Sequence, residues 1–291
     1  MKYIVGIGEA LWDMLPAGRQ IGGAPANFAY HAGQFGRKSF AVSAVGKDDL
    51  GKELLTILAE KKLNTVIPQI EFPTGTVEVF LTEGGIPHYD IRQDVAWDNI
   101  PTSPELDALA KETIAVCFGS LAQRSLVSRE TIYRFLDAMP KSQEVLKVFD
   151  INLRQNFYSR EIIEASLAYC NVLKLNDEEL PVIVKMLGVA GETDEELCRC
   201  LMHDFDLRIV ILTQGAQGSY VFSDDLASYV ETPHVEVADT VGAGDSFTGS
   251  FIGSLLMGKS IRDSLITAVR VAAHVCTQHG AMPEIPEALK Q

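Results

Sequence analysis

The chain has 291 residues, of which 47% are hydrophobic and 22% are charged, which is typical of a globular protein with a sizeable core. Its formal net charge of −14 argues against nucleic acid and anionic membranes as main partners. Five scattered cysteines, a short N-terminal apolar run and the lack of a membrane-length apolar segment predict a cytoplasmic protein with reduced thiols.

The first predicted strand, Tyr3 to Gly8, is a short apolar run that ends in glycine. Its Gly6-Ile7-Gly8 fits the start of a dinucleotide-binding fingerprint, but Leu11 occupies the place of the third glycine. We therefore assign no dinucleotide site here. Asp13 follows this strand closely and is either a ligand-binding acid or a surface turn residue.

Paired glycines, Gly22 and Gly23, precede a predicted helix from Pro25 to Ala32, which has proline near its first turn. Asn27 on this helix offers both a donor and an acceptor to a polyhydroxylated ligand. The next predicted elements are a strand and an amphipathic helix, at Ser39 to Val45 and Asp48 to Leu63.

The segment Thr74 to Ile91 interrupts the alternation of strands and helices. Two β-like runs flank Glu83-Gly84-Gly85, which predicts a β-hairpin with a glycine turn. A hairpin without a helix partner, inserted in such a chain, is expected to cover a ligand.

Beyond Pro104, strands and helices alternate regularly, which predicts one mostly parallel, doubly wound α/β sheet with helices on both faces. The predicted strands are Ile114 to Gly119, Val145 to Asp150, Val172 to Leu175, Arg208 to Leu212 and Tyr229 to Val237. The predicted helices are Glu105 to Thr113, Ser128 to Met139, Glu161 to Cys170, one that Asn176 caps, one that starts after Thr193, and Ile261 to Gln278.

Ligand-binding loops are expected at the carboxyl ends of parallel strands. Asn152-Leu153-Arg154 follows one such strand, and Asn176 ends the next. Thr213 to Ser219 forms a glycine-rich turn between two further strands.

The stretch Asp239 to Phe247 joins two glycines, an acid and the start of a helix predicted at Ser246 to Met257. Backbone amides near Gly242, Ala243 and Gly244 would lie at the positive end of this helix, where an anion is favoured. Asp245 would stand beside that anion and could take a proton from an attacking hydroxyl.

Two other motifs are decoys. Gly253 to Ser260 fits the P-loop pattern, but its first glycine falls inside the predicted helix, whose amides are already bonded, and Lys259 lies beyond the helix end. Cys198, Cys200 and His203 share a helix without a second ligand pair, which argues against a metal site.

The nonapeptide Asp239 to Phe247 resembles the C-terminal signature of the ribokinase-like (PfkB) sugar kinases. Gly8-Glu9-Ala10-Leu11-Trp12-Asp13 and Gly22-Gly23-Ala24-Pro25-Ala26-Asn27 resemble the N-terminal half of the same family, in its fructokinase form. The resemblance covers essentially the whole chain and implies one domain, residues 1–291. It also implies a β lid at about 72–98, with a short segment near 10–20, and a homodimer surface on that lid.

The resemblance implies a site for a free sugar, with fructose as the expected substrate, and a site for ATP with Mg²⁺. It places the sugar at Asp13, Gly22, Gly23, Asn27, Arg92, Arg154 and Asp245. It places the nucleotide at Asn176, Thr213, Gly215, Gly218, Gly242, Gly244 and Gly280. Glu179 would hold Mg²⁺ through water, and a monovalent cation such as K⁺ would lie near Asp239.

The residues leave alternatives open. Arg92 also fits a solvated charge on an edge strand, Arg154 a salt-bridged loop residue and Asn176 a plain helix cap. A 2-keto-3-deoxygluconate kinase would use Arg92 and Arg154, but the acidic Asp90 disfavours a carboxylate substrate. Ala24 stands where the family's sugar-phosphate kinases often have lysine. The non-enzyme alternative is a catalytically dead protein that senses a sugar.

Overall fold

The computed structural model describes residues 2–15, 18–81 and 87–291. Their strands are β1 Tyr3–Ile7, β2 Leu11–Leu15, β3 Gly18–Gly22, β4 Ser39–Val42, β5 Val45–Gly46, β6 Asn64–Val66, β7 Gln69–Ile70, β8 Gly75–Leu81, β9 Pro87–Ile91, β10 Thr113–Phe118, β11 Leu146–Asp150, β12 Val172–Asn176, β13 Ile209–Thr213, β14 Gly218–Ser223 and β15 Leu226–Glu231. Their helices are α1 Ala24–Gly33, α2 Asp49–Glu60, α3 Pro104–Glu112, α4 Leu126–Ala138, α5 Arg160–Tyr169, α6 Glu179–Leu187, α7 Asp194–Asp204, α8 Ala243–Leu256, α9 Ile261–Cys276 and α10 Glu287–Lys290. Two 3₁₀ helices lie at Ala96–Asn99 and Leu121–Arg124.

The main sheet has the strand order β15-β14-β13-β12-β11-β10-β1-β4-β6. Strands from β13 to β6 pair in parallel, whereas β14 and β15 form an antiparallel edge. Alternate residues of each strand face opposite sides, so Val5 and Ile7 enter one core with α3 to α7, while Ile4 enters the other with α1, α2, α8 and α9. The predicted mostly parallel, doubly wound fold is confirmed.

A second sheet, here called the small sheet, has the order β3-β2-β8-β9. β2 pairs antiparallel with β3 and parallel with β8, and β8 pairs antiparallel with β9, with Val77 opposite Ile91. The predicted turn Glu83-Gly84-Gly85 lies outside the described residues. The small sheet contains the two segments expected to cover the sugar, and its roles as a lid and a dimer surface stay predictions.

The predicted helix start at Ser128 is wrong, because α4 begins at Leu126 after Ser125. Ser128 is instead buried and serves a different segment, donating to the Trp97 carbonyl at 2.8 Å and accepting from the Ile100 amide at 3.0 Å. The predicted strand Tyr229 to Val237 ends early, at Glu231. Pro233 lacks the N–H group that a ladder needs.

Two predicted helix starts are confirmed by their side chains. The Asn176 side chain accepts the backbone amides of Glu178 and Glu179 at 2.9 and 2.8 Å, where α6 begins. Thr193 and Glu196 form a capping box at the start of α7. Within the described part of the chain, no helix is both long and apolar enough to cross a bilayer.

Candidate functional site

The glycine turn before α8 is held against the C-terminal loop. Gly242 is the N-cap of α8 with a left-handed φ of 78°, and a Cβ there would lie 2.7 Å from the Ala281 Cβ. Glycine alone fits this conformation and this contact without strain. His31 Nε2 donates to the Ala281 carbonyl at 2.8 Å, and burial lowers the pKa of this histidine to about 4. The imidazole is therefore neutral at neutral pH.

The amides of this turn differ in availability. The amide of Ala243 already donates to the Thr240 carbonyl at 3.2 Å, whereas the amides of Gly242 and Gly244 donate to no other described residue. Both free amides lie at the positive end of α8, where they can bind an anion.

Asp245 stands in the first turn of α8 and accepts a hydrogen bond from Asn27 Nδ2 at 2.7 Å. Burial raises its pKa from 3.8 to about 6. The Asn27 hydrogen bond opposes this shift, the negative charge of Asp150 adds to it, and the charges of Lys174 and Arg154 oppose it. An acid with this pKa is ionised at neutral pH and is a stronger base than an exposed aspartate.

A buried ion pair lies under the glycine turn, at the ends of β11 and β12. Lys174 Nζ is 3.1 Å from Asp150 Oδ1, and Thr248 Oγ1 is 3.0 Å from Asp150 Oδ2. A Cβ on Gly244 would be 3.4 Å from Lys174 Nζ, so the ammonium group faces the anion-binding turn. We did not predict this pair, although a lysine within the apolar run Val172–Asn176 was a signal for it.

Four of the predicted sugar residues lie near the carboxyl end of β1: Asp13, Gly22, Gly23 and Asn27. Paired glycines are required there, because a Cβ on Gly22 would lie 2.4 Å from Asp13 Oδ2 and one on Gly23 2.5 Å from the Glu9 carbonyl. Burial raises the pKa of Asp13 to about 6, against the charge of Arg154. Asn27 is 2% exposed, and its Oδ1 has no hydrogen-bond partner among the described residues.

Only one of the two predicted arginines lies beside these acids. The charge of Arg154 opposes the raised pKa values of Asp13, Asp245 and Glu9, so this exposed residue lies near all three acids. Arg92 follows β9, is exposed and has no such effect on them; its carbonyl accepts from Arg124 Nη2 at 2.6 Å.

A cavity of about 760 Å³ extends from the glycine turn along the ends of β12 and β13. Of the predicted nucleotide residues, Asn176, Thr213, Gly215 and Gly244 line it. Its other walls include apolar side chains that we did not predict: Val235, Val237, Phe247, Val269, Ala272 and Ala273.

Three predicted nucleotide glycines do not line this cavity: Gly218, Gly242 and Gly280. A Cβ on Gly218 would be 2.5 Å from the Tyr229 hydroxyl oxygen, so this glycine makes room for a ring. Gly280 N donates to Asp239 Oδ2 at 3.2 Å.

Glu179 is buried, and both of its carboxylate oxygens accept backbone amides. Leu153 N and Asn176 N donate to Oε1 and Oε2, each at 2.9 Å. Among the described residues, no three acidic, histidine or cysteine side chains form a metal cluster. Asp177 and Glu178 line the cavity, whereas Glu179 is not among its lining residues. Mg²⁺ commonly keeps several waters and binds substrate phosphates, and a contact of Glu179 with Mg²⁺ through water stays a prediction.

Asp239 joins the glycine turn to the C-terminal loop. Its Oδ1 accepts from Val241 N at 3.0 Å, and its Oδ2 accepts from Gly280 N. A monovalent ion near Asp239 would share this carboxylate with both amides.

The two decoy motifs have structural roles. Gly253 lies inside α8, Gly258 follows the helix with a left-handed φ of 90°, and Lys259 Nζ donates to Thr267 Oγ1 at 3.0 Å. Cys198 is buried on α7 and Cys200 is partly exposed.

Relatives of known identity span nearly the whole chain. An ATP-dependent 6-phosphofructokinase from Thermoanaerobacterium thermosaccharolyticum is 29% identical over 98% of this chain and 92% of its own length. Fructokinase-2 from Zea mays is 27% identical over 98% and 91%. The crystal structure of a fructokinase with bound ATP from Xylella fastidiosa superposes with a TM-score of 0.84, at 22% identity over 96% and 94% of the two chains.

Residues 17–288, which are most of the chain, match the family described as pfkB family carbohydrate kinase. This match agrees with the α/β fold, the glycine turn and the acid beside it. The chain belongs to the pfkB family of carbohydrate kinases.

Proposed function

We propose that this kinase transfers the γ-phosphoryl group of ATP to a hydroxyl of a free sugar, and that fructose is its best substrate. The observation that supports a sugar as the substrate is a set of buried hydrogen-bond acceptors that have no donor. Glu9 Oε2 and Asn27 Oδ1 are buried and have no hydrogen-bond partner among the described residues, and both belong to the group around Asp245. Buried acceptors need donors, and a sugar supplies several hydroxyls.

Asp245 is the proposed general base. As the sugar oxygen attacks the γ-phosphorus, its proton passes to the carboxylate of Asp245, and the bond from that phosphorus to the β–γ bridging oxygen breaks to release ADP. The Asn27 amide fixes one carboxylate oxygen at 2.7 Å, which leaves Oδ1 of Asp245 for the hydroxyl. A pKa of about 6 suits proton removal near neutral pH.

Positive charge and amide dipoles surround the expected position of the transferred group. The free amides of Gly242 and Gly244 face it from the start of α8, and Lys174 faces it from below. Arg154 faces the acids from the side of the sugar. Such fixed donors stabilise the charge that develops in phosphoryl transfer. Bound Mg²⁺ would neutralise part of the phosphate charge, and Glu179 and its neighbours are the residues suited to hold its waters.

The nucleotide is expected in the 760 Å³ cavity beside Asn176, Thr213 and Gly215, with its base against the apolar wall. The solved Xylella fastidiosa fructokinase contains ATP, which supports ATP as the nucleotide. A cytoplasmic location, a K⁺ requirement near Asp239 and a homodimer through the small sheet belong to the same proposal. So does the division into one domain, 1–291, with a lid at about 72–98 and 10–20.

Fructose is preferred to two charged alternatives. Asp90 is exposed on β9 and would repel the carboxylate of 2-keto-3-deoxygluconate. Fructose 6-phosphate is the natural competitor, since one relative is a 6-phosphofructokinase. However, Ala24 at the start of α1 offers no charge to a phosphate. Arg154 is the one predicted arginine near the proposed sugar site, and the negative charges of Glu9, Asp13 and Asp245 already offset its positive charge.

The test is a panel of fructose, other free hexoses, 2-keto-3-deoxygluconate and fructose 6-phosphate, each with ATP and Mg²⁺, read as ADP release and with the product identified by NMR. We expect the highest kcat/KM for fructose. A higher kcat/KM for either charged substrate would replace the substrate assignment. Sugar binding without turnover of any compound would establish the sensor hypothesis instead.

A further inference from the structure

Glu9 is a buried acid at the carboxyl end of β1, and the proposed function uses it only as an acceptor near the sugar, without assigning it to a particular hydroxyl. Its side chain is 4% exposed, and Gly8, with φ of 152°, turns the chain just before it. The Ala24 amide at the start of α1 donates to its carboxyl group, but Oε2 has no hydrogen-bond partner among the described residues. A buried carboxyl oxygen without a donor is unfavourable, so a ligand that supplies one would be bound there.

Glu9 lies beside the residues that hold Asp245. A Cβ on Gly23 would be 2.5 Å from the Glu9 carbonyl oxygen, and the Gly23 carbonyl accepts the amide of Asn27, whose side chain donates to Asp245. Burial raises the pKa of Glu9 from 4.5 to about 7, and the charge of Asp245 adds to the shift. Its own amide, the charge of Arg154 and the Ala24 amide oppose the shift. A carboxyl group that is partly protonated at neutral pH can both donate and accept, as a sugar hydroxyl does.

Glu9 does not fit the role of a second base. Asp245 already stands beside the free amides of the glycine turn, where the phosphoryl group must pass, whereas Glu9 lies at the start of α1. We propose that Glu9 Oε2 hydrogen-bonds a sugar hydroxyl other than the one that is phosphorylated, and so holds the sugar against Asp245. This inference rests on the proposed function, because it requires a sugar between β1, α1 and α8.

The test couples Glu9 to one hydroxyl of the substrate. Wild type, Glu9→Gln and Glu9→Ala are assayed with the best sugar of the panel and with its monodeoxy analogues. For wild type, one analogue should lose about ten- to hundredfold in kcat/KM, the cost of a hydrogen bond to an acid. For Glu9→Ala the same analogue should lose less than about threefold relative to the full sugar, while the KM for ATP stays unchanged.

A matched control is Asp13→Asn, in the neighbouring acid. In this variant, the analogue whose loss of kcat/KM is reduced should lack a different hydroxyl from the one assigned to Glu9. This difference separates a specific contact from a general change in the shape of the sugar site. If a residue only supports the fold, its replacement should lower kcat/KM for all analogues by the same factor.

The outcomes are distinguishable. If every analogue loses the same factor in wild type and in both Glu9 variants, the assignment of Glu9 is overturned and the kinase activity stands. If wild type phosphorylates no sugar of the panel, the proposed function fails and the inference fails with it. Where Glu9→Ala does not fold, as judged by circular dichroism, Glu9→Met, which has a side chain of similar length that cannot bond a hydroxyl in the same way, decides by the same comparison, and coupling equal to wild type overturns the proposal.

Discussion

The base strength of Asp245 is set by its neighbours rather than by its position on a helix. A carboxylate at a helix start is normally stabilised as an anion. Here burial and the charge of Asp150 outweigh the Asn27 hydrogen bond and the charges of Lys174 and Arg154, which raises the pKa to about 6. Burial, one neighbouring acid and two neighbouring cations thus give a carboxyl group that is ionised yet basic at neutral pH.

Replacing Asp245 by Asn should abolish most turnover while the protein still folds and binds sugar. The amide keeps the shape and the contact with Asn27 but cannot accept the proton, and loss of a general base costs ~10²–10⁴-fold in kcat. Steady-state kinetics measure the loss, and calorimetric titration with the sugar serves as the binding control. A kcat within a few fold of wild type would remove Asp245 from the role of base.

At the scale of elements, we propose that α8 has a functional end, which binds phosphate, and a structural end. Its N-terminus presents the free amides of Gly242 and Gly244, and the P-loop-like residues 253–260 span its last turn and the loop that follows. The dipole favours phosphate at the first end and disfavours it at the second. The buried Lys174, from β12, is the cation that faces the functional end.

These two ends predict opposite effects for two lysines. Lys259→Ala should keep kcat and the KM for ATP within about threefold, under ~0.7 kcal/mol. Lys174→Met should lower kcat by ~10²–10³-fold, as for the loss of one donor to the transition state. Both variants are compared in one ATP-dependent assay. The reverse ranking would place the phosphates at the other end of α8.

Lys174→Met also leaves Asp150 unpaired in the interior, which is strongly destabilising. Should its melting temperature fall below the assay range, the double variant Asp150→Asn with Lys174→Met removes both charges and replaces it in the comparison.

The elements that the sequence predicted best are those with local signals. The parallel strands are short apolar runs, and the glycine turn carries its chemistry in consecutive residues, so both could be read directly. The Asp150–Lys174 pair could not, because these residues are 24 positions apart and meet only when β11 and β12 become neighbours. Ser128 was misassigned for a similar reason, since its partners are the backbone of Trp97 and Ile100.

Across the whole molecule, the acids of the site reduce stability at the pH where they work. Asp13, Asp245 and Glu9 have folded-state pKa values of about 6, 6 and 7, above their usual 3.8, 3.8 and 4.5. Between those limits the folded state binds more protons than the unfolded state, so their contribution to stability falls as pH rises. His31 has a lowered pKa and acts oppositely, since its contribution falls as pH drops below 6.5.

This linkage predicts that Asp245→Asn stabilises the protein, and more at pH 8 than at pH 5. At pH 8 the wild-type carboxylate is ionised in a site that disfavours its charge, whereas at pH 5 it is mostly protonated in the folded state. The same ionisation should make wild-type kcat/KM decline as pH falls below about 6. Thermal melts of both proteins at the two pH values provide the comparison. A stabilisation that is equal or smaller at pH 8 would contradict the raised pKa.

The contact between Asn27 and Asp245 joins residues 218 positions apart, and that between His31 and Ala281 joins residues 250 positions apart. During synthesis on a ribosome, Asp13 and Asn27 therefore emerge long before Asp245 and the glycine turn. The β1 to β13 core can begin to fold on the nascent chain, but the proposed site cannot close until α8 and Ala281 have emerged as well. A chain truncated before α8 is therefore expected to pack most of its strands and to lack kinase activity.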